Sequence, residues 1–305
     1  MQFAILLYNV NMKVKVYAKL NLTLSVGARQ GEFHPIDSVA TSVDVYDVVR
    51  VTERADKQVR VSGVHGVAQE CNTAYRAACA FVEAFDTNGV DVHIDKGIPF
   101  GSGLGGSSAD AAAVLFCLCK LHNIDLGCEK LLKICEKVGS DVTFMLRGGL
   151  GRLRGKGDTV AFFELQNPLY FALTTFEQQM NTREVYAAFD SVGKRSVSGD
   201  STQKLFENST NAELVTLLQR GANKQAMACF SNDLQSAANA ISDYADQYLK
   251  FTEVNGFNAV MTGSGSAYYI AFTTRAEAKK AVNLLNSNGF STVLCQSMSH
   301  GIESK

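Results

Sequence analysis

The sequence predicts an α+β protein with two domains, and three observations point to this class. First, a length of 305 residues corresponds to two average domains or to one large one. Second, segments that alternate polar and apolar residues, as half-buried strands do, are interspersed with segments whose apolar residues recur at helical spacing. Third, the second half closes with strands and helices in turn, which is typical of helices packed on a sheet. We expect one domain at residues 12–163 and the other at 164–305.

Composition and charge exclude several classes of protein. Lys and Arg total 29 and Asp and Glu total 30, so a net charge of −1 provides no field that attracts nucleic acid or an anionic membrane. The eight cysteines lie mostly in apolar runs without a C-x-x-C pair, which predicts reduced core thiols in a cytoplasmic protein. The apolar run at residues 1–11 has no basic start and no cleavage site and is too short to span a bilayer. An over-extended start codon would explain this run.

The first half of the chain begins with two strands and a helix. Residues 13–24 alternate polar and apolar side chains with period two, which predicts a half-buried strand with Lys19 and Asn21 on one face. Residues 38–52 are rich in valine and predict a second strand. The apolar residues that come next recur at helical spacing, and Asn72 is the expected N-cap of that helix.

A strand, a glycine-rich loop and a helix then follow in that order. Residues 90–94 predict the strand and residues 95–106 the loop, and Ser107 or Ser108 is the expected cap of the helix. This order matters because a loop that leads into a helix N-terminus offers free N–H groups to a phosphate. Another predicted helix spans residues 129–138.

The second half carries the remaining strands and helices. Its predicted strands are at residues 169–175, 259–261, 267–272 and 292–295, and its predicted helices are at residues 182–189, 233–251 and 275–285. We expect the two halves to share a cleft, because no long linker separates them.

Glycine is concentrated in three windows, which mark backbone that needs positive φ or approaches a ligand closely. Residues 97–106 and 148–157 hold five glycines each, and Gly263 and Gly265 form a third group. Serine hydroxyls at the end of the first window can add contacts to phosphate or Mg²⁺. The second window, together with Arg147 just before it, forms a basic patch that faces either substrate phosphates or, as we expect, solvent. The patch consists of Arg147, Arg152, Arg154 and Lys156.

Two nucleotide-binding motifs compete for the first window. The sequence has no G-x-x-x-x-G-K-[ST], which excludes an ordinary P-loop. Gly101, Gly103 and Gly106 match G-x-G-x-x-G, which is the signature of an NAD-dependent oxidoreductase. The context of this match does not fit, because Pro99 separates the glycines from the strand and no strand with an acidic end follows about twenty positions later.

The segment from Pro99 to Ala109 resembles the ATP-phosphate motif P-x-x-x-G-L-G-x-S-S-A of the GHMP kinase superfamily. Further segments narrow the resemblance to the branch of the 4-diphosphocytidyl-2-C-methyl-D-erythritol kinases. In chain order these are AKLNL at 18–22, FHPIDSV at 33–39, VDVYD at 43–47, NTAYRAA at 72–78, GSDVTF at 139–144, NTREVY at 181–186 and TGSGS at 262–266. The resemblance implies a two-domain GHMP kinase fold, with a ribosomal S5 domain 2-like N-terminal domain and a ferredoxin-like C-terminal domain.

The resemblance also implies a role for each matched residue. Lys19 and Asp141 are the implied catalytic pair, with Asp141 as base or positioner of a hydroxyl and Lys19 as the cation beside it. The implied ATP contacts are Lys96, Pro99, Gly101, Gly103, Leu104, Gly105, Gly106, Ser107 and Ser108. The implied substrate contacts are Asn21, Phe33, His34, Thr182 and Tyr186, in which His34 reads a cytosine edge between aromatic rings. Phe33 and Pro35 stand where the family usually has Tyr and Glu.

The implied reaction transfers the γ-phosphoryl group of ATP, with Mg²⁺, to the 2-hydroxyl of the cytidyl-linked methylerythritol in the non-mevalonate isoprenoid pathway. Positioning and charge stabilisation dominate transfers of this kind. Two alternatives are another small-molecule GHMP kinase, such as a homoserine or mevalonate kinase, and a non-catalytic ligand-binding relative. His34 with its aromatic neighbours argues against the first, and the catalytic pair argues against the second. We expect a monomer or homodimer without nucleic-acid or membrane partners.

Overall fold

A computed structural model describes residues 11–192 and 210–304, so the apolar start at residues 1–10 lies outside the described residues. In the first half, helices pack on a sheet whose longest strands form the hairpin of β1 (Asn11–Val26) and β2 (Ile36–Glu53). The other elements in this half are α1 (Thr73–Phe85), α2 (Gly106–Leu121), α3 (Glu129–Val138), α4 (Val142–Arg147), β3 (Val59–Ser62), β4 (Val90–Asp95), β5 (Leu150–Gly155) and β6 (Thr159–Phe163).

The second half is a four-stranded antiparallel sheet with helices. In chain order its elements are β7 (Tyr170–Thr174), α5 (Thr182–Val192), α6 (Thr210–Gln219), α7 (Asn223–Met227), β8 (Ser231–Asn232), α8 (Gln235–Ile241), α9 (Asp246–Val254), β9 (Ala259–Met261), β10 (Tyr268–Phe272), α10 (Arg275–Ser287), β11 (Thr292–Met298) and β12 (Ile302–Ser304). The strand order β11-β7-β10-β9, with helices between β7 and β9 and between β10 and β11, is the ferredoxin-like arrangement. The predicted fold class is therefore confirmed.

The two halves share one continuous sheet. The end of β11 pairs with β2 at Ser297 and Met298, and β12 then pairs with β1. The last strand of the chain thus returns to the first sheet, which the sequence patterns did not predict. A domain boundary at residues 163 and 164 stays a prediction.

The helix after the glycine-rich loop is buried nearly all round. It packs against α1, α4 and both strands of the central hairpin, so its N-terminus has a fixed place in the fold. The predicted serine cap is wrong. Gly105 takes the N-cap position in the left-handed region (φ 76°), and Ser107 and Ser108 lie within the first turn of α2.

Two other local predictions have different outcomes. Asn72 is the N-cap of α1, and its side chain accepts a hydrogen bond of 2.9 Å from the N–H of Ala74, as predicted. The stretch predicted as helical at residues 233–251 instead contains two helices, α8 and α9. The extended backbone of Ser242 (φ −158°) ends the first of them.

Gly148, the first residue of the second glycine window, makes a close backbone contact. A Cβ atom on Gly148 would lie 2.2 Å from the Cα of Gly301, and a Cβ atom on Gly301 would lie 2.5 Å from the carbonyl oxygen of Met145. Glycine is therefore required where the C-terminal segment crosses the end of α4.

The basic patch of this window is not uniformly solvated. Arg152 is buried on β5, where its guanidinium donates two hydrogen bonds of 2.8 and 2.6 Å to the buried carboxylate of Asp37 on β2. The expectation of a solvent-facing Arg152 is therefore wrong, because the carboxylate that neutralises it comes from a distant strand.

No helix within residues 11–192 and 210–304 is both long and apolar enough to span a membrane. The cysteines are free thiols, as predicted. Four of them are buried, whereas Cys71 is exposed and departs from the predicted core position.

Candidate active site

A cleft of about 440 Å³ lies between the glycine-rich loop, β1, the turn at residues 262–266 and the start of α5. The structure brings fourteen of the sixteen predicted site residues to its walls. They are Lys19, Asn21, Lys96, Pro99, Gly101, Gly103, Leu104, Gly105, Gly106, Ser107, Ser108, Asp141, Thr182 and Tyr186.

Lys19 and Asp141 form a charged pair in this cleft. The ammonium of Lys19, on β1, lies 3.8 Å from Asp141 Oδ2 and also donates to Asn21 Oδ1. Burial lowers the pKa of Lys19, and the Asp141 carboxylate opposes that shift. Asp141 precedes α4 as its N-cap residue, but its side chain makes no cap hydrogen bond within the described part of the chain. The pair therefore places a cation and an acceptor oxygen side by side.

The glycine-rich loop passes close to β1 and to the second half. Gly101, Gly103 and Gly105 all have positive φ, and a Cβ atom on Gly103 would lie 2.1 Å from the carbonyl oxygen of Thr262. The N–H of Lys19 donates to the carbonyl of Leu104 over 3.0 Å. The fold of the loop therefore sets the distance between the loop and the Lys19 side chain.

The end of this loop leads into the N-terminus of α2. In the structure as described, no side chain caps α2, and the residues of its first turn, whose N–H groups have no intrahelical partners, line the cleft. These N–H groups and the positive end of the helix dipole favour a bound phosphate. The hydroxyls of Ser107 and Ser108 lie in the same turn.

Lys96 lies at the root of the loop between two carboxylates. Its ammonium donates to Asp47 and, over 2.8 Å, to Asp110. Asp47 also accepts hydrogen bonds of 2.6 and 2.8 Å from the N–H groups of Gly97 and Ile98, which fixes the entry to the loop. Burial raises the pKa of Asp110 to about 8, with Lys96 opposing the shift and Asp47 adding to it. Lys96 therefore anchors the loop as well as lining the cleft.

Asn21 joins β1 to the third glycine window. Its amide donates to Ser38 Oγ over 2.8 Å, and its side-chain oxygen accepts from the N–H of Gly263 over 3.0 Å. Its backbone N–H donates to Thr262 Oγ1 over 3.0 Å. Asn21 lines the cleft, and these hydrogen bonds also hold the turn at residues 262–266 in place.

Tyr186 presents an aromatic ring to the cleft, and burial with the nearby Asp141 charge raises its pKa to about 12. His34 stacks on this ring, with centroids 5.3 Å apart, and is outside the lining of the described cleft. Its Nδ1 is 3.0 Å from the carbonyl oxygen of Gly27, and its Nε2 is 3.2 Å from Asp190 Oδ1. Contact between His34 and a base edge would therefore require its pairing with Asp190 to open.

Several residues at the cleft were not among the predicted contacts. Lys156 is exposed and lines the cleft, and its ammonium lies 4.6 Å from the ring centre of Phe33. Phe33, a predicted substrate contact, is not among the residues that line the cleft. Ser264 lines the cleft and its hydroxyl is 2.8 Å from that of Thr182. The TGSGS segment signalled Ser264. The apolar wall residues carry no such signal, because a strand or helix position facing a cleft looks like a core position, and these are Leu24, Ile36, Met180 and Leu234.

Within residues 11–192 and 210–304, no group of three or more His, Cys, Asp or Glu side chains is arranged to hold a metal ion. Mg²⁺ usually keeps several waters and binds one or two protein oxygens together with substrate phosphates. The hydroxyls of Ser107 and Ser108 and the Asp141 carboxylate are oxygens of this kind at the cleft. They fit an ion that arrives with a nucleotide.

Comparisons with known proteins match the same regions. The model of the GHMP kinases N terminal domain matches residues 72–149, and that of the GHMP kinases C terminal matches residues 205–290. The chain is 34% identical to a 4-diphosphocytidyl-2-C-methyl-D-erythritol kinase of Cutibacterium acnes, with 89% of each chain covered. It is 32% identical to the enzyme of the same name from Desulfitobacterium hafniense, with 93% of this chain and 95% of that one covered.

Solved structures with the same fold include two named kinases. The crystal structure of a 4-(cytidine 5'-diphospho)-2C-methyl-D-erythritol kinase has a TM-score of 0.72 and 25% identity, with 94% of this chain and 100% of that one covered. A homoserine kinase from Cytophaga hutchinsonii has a TM-score of 0.74 at 17% identity, with both chains fully covered. At that identity the second likeness shows the fold alone.

Proposed function

The chain belongs to the GHMP kinase family, in the branch of the 4-diphosphocytidyl-2-C-methyl-D-erythritol kinases, and we propose that it phosphorylates the 2-hydroxyl of 4-diphosphocytidyl-2-C-methyl-D-erythritol. As a member of this family it is an ATP-dependent small-molecule kinase. The observation that carries the proposal is the Lys19–Asp141 pair, which shares one cleft with a glycine-rich loop and an uncapped helix N-terminus.

The first step of the proposed reaction is binding of the ATP phosphates at the N-terminus of α2. The N–H groups of the first turn and the serine hydroxyls would hold the phosphate oxygens, as the free helix end supports. Lys96, whose ammonium is paired with Asp47 and Asp110, would fix the loop from below. The oxygens of Ser107, Ser108 or Asp141 would hold Mg²⁺, which would supply positive charge at the phosphates.

The second step is the transfer itself. The substrate hydroxyl oxygen forms a bond to the γ-phosphorus while the bond from that phosphorus to the bridging oxygen of ADP breaks. The hydroxyl proton passes to the Asp141 carboxylate, and Lys19 stabilises the negative charge that develops beside it. The separation of 3.8 Å between Lys19 Nζ and Asp141 Oδ2 supports contact of both groups with one hydroxyl.

The substrate would lie along the wall formed by Asn21, Thr182 and Tyr186. The ring of Tyr186 supports stacking of a pyrimidine base, since an aromatic side chain can stack on the face of any base. Phe33 and His34 stay predicted contacts of the base. We further propose that the protein acts in the cytoplasm, as a monomer or homodimer.

An ADP-release assay with three alcohols in parallel tests the proposal. We expect release with 4-diphosphocytidyl-2-C-methyl-D-erythritol and none with mevalonate or homoserine. Asp141→Asn should lower kcat by about 100-fold or more, the usual contribution of a proton-accepting side chain. Asp91→Asn, which changes an exposed carboxylate paired with Arg54, is the matched control and should keep wild-type kcat. Turnover of another alcohol alone, or undiminished activity of Asp141→Asn, would refute the proposal.

A further inference from the structure

We propose that Gly301, where the C-terminal segment crosses α4, is a positioning residue for phosphoryl transfer. In this role it fixes the helix that follows Asp141 relative to the strand that carries Lys19. The inference rests on the proposed function, because it concerns what holds Lys19 and Asp141, the two reacting groups of that function, in position.

Backbone hydrogen bonds of one residue connect the strand and the helix. The N–H of Tyr17, two positions before Lys19 on β1, donates to the carbonyl of Gly301 over 2.8 Å. The N–H of Gly301 donates to the carbonyl of Arg147, the last residue of α4, over 2.7 Å. The peptide groups on either side of Gly301 therefore bridge the two elements on which the catalytic pair depends.

A second connection reinforces the first. Ser42 is the cross-strand partner of Lys19 in the pairing of β1 with β2. Its N–H donates to the carbonyl of Gly149 over 2.9 Å, and its hydroxyl accepts from the N–H of Gly149 over 3.1 Å. The end of α4 is therefore held on both strands of the hairpin, close to Lys19.

Steric contact makes this crossing specific for glycine. Gly148 has φ 67° and ψ −155°, a backbone region open essentially to glycine alone. A Cβ atom on Gly301 would lie 2.5 Å from the carbonyl oxygen of Met145 and 3.0 Å from the Cα of Gly148. Interiors are close-packed, so alanine at position 301 would move the segment or α4 by roughly 0.5 Å or more.

Such a movement would reach the reacting groups directly. Asp141 precedes the first turn of α4, so displacement of the helix changes its distance from Lys19. The methyl group of Met145, on the same helix, lies 2.2 Å from where a Cβ atom on Gly105 would stand and so packs against the phosphate loop. A misplacement of about 1 Å at a reacting centre can cost about 100-fold in rate.

The test compares Gly301→Ala with Gly289→Ala. We expect Gly301→Ala to lower kcat about tenfold or more, to change KM for either substrate less than about threefold, and to shift the pH profile of kcat. Gly289 has φ 87° and no described atom within 4 Å of its Cβ position. Alanine there strains the backbone and lowers the melting temperature, but it should keep wild-type kcat, which separates positioning from general destabilisation.

Wild-type kcat in Gly301→Ala, or an equal loss of kcat in Gly289→Ala, would overturn the inference. If Gly301→Ala does not fold, Ser42→Ala removes one hydrogen bond without adding an atom. It should lower kcat about threefold or more at unchanged KM, and an unchanged kcat would overturn the inference as well. Failure of the proposed function would appear separately, as a wild-type protein that phosphorylates another alcohol, on which the same variants are then compared.

Discussion

Replacing Lys19 with methionine should separate its part in catalysis from its part in stability. Lys19 is buried and its ammonium is 3.8 Å from Asp141 Oδ2, a distance at which two unit charges attract by about 4 kcal/mol at an effective dielectric constant of 20. Removal of the ammonium from water outweighs this attraction, so the pKa of Lys19 is lowered. Methionine keeps the apolar stem, and Asp141 is 31% exposed and can be hydrated when its partner is lost. The free energy of unfolding should therefore change little.

Activity of Lys19→Met should fall much further than its stability. A charged group that stabilises developing negative charge contributes about 3–4 kcal/mol to the transition state, so we expect kcat to fall about 100-fold to 1000-fold. The assay is ADP release at saturating ATP and substrate, together with urea unfolding of the same preparations. Lys13→Met, on the same strand, is the control and should keep wild-type kcat. A kcat within tenfold of wild type, or a loss explained by unfolded protein, would contradict the proposed role of Lys19.

Two further predictions concern stability. Burial raises the pKa of the Asp110 carboxyl from 3.8 to about 8, an effect that Lys96 opposes and Asp47 increases. Between these two pH values the folded chain therefore keeps a proton on Asp110 that the unfolded chain releases. The free energy of unfolding should therefore fall as pH rises from about 4 to about 8 in urea titrations, and Asp110→Asn should flatten this fall, whereas a wild-type slope would argue against it. Asn72→Ala removes the hydrogen bond that caps α1 and should cost about 1 kcal/mol of unfolding free energy with kcat unchanged, and equal stability of the two proteins would show that the cap contributes nothing.

Local patterns in the sequence predicted most of the fold. The period-two alternation of β1 identified the strand and put Lys19 and Asn21 on one face, because alternation follows directly from strand geometry. The predicted half-burial is wrong for residues 16–24, because both faces of β1 are covered there. Asn72 was identifiable as a cap because its side chain competes for the N–H groups two residues later. The position of Gly105 as N-cap of α2 was not, since a serine in the first turn gives the same local signal as a serine cap.

The features that the sequence did not predict depend on residues far apart in the chain. The three residues of β12 have no pattern of their own and form a strand by pairing with β1. Arg152 looks like a solvated residue beside a turn until Asp37, on β2, is placed against it. The same limit applies to His34, whose ring nitrogens face Gly27 and Asp190.

Most of the candidate site came from the ordered series of family segments, with chemistry as a guide to roles. Lys19 and Asp141 lie on a strand and before a helix, and nothing local to either one predicts their contact of 3.8 Å. Their pairing was implied by the family resemblance, which the ordered segments carry. The apolar residues Leu24 and Met180 could be assigned to the cleft wall only from the structure, because side-chain type alone does not distinguish a cleft position from a core position.

Identification of the product distinguishes the proposed phosphorylation of the 2-hydroxyl from every other outcome. The protein is incubated with ATP, Mg²⁺ and 4-diphosphocytidyl-2-C-methyl-D-erythritol, and the mixture is followed by ³¹P NMR. We expect one new phosphate monoester for each ADP formed, located on the 2-oxygen of the methylerythritol, with the diphosphate of the substrate intact. ADP formed without a monoester, or a phosphate on any other oxygen, would contradict it.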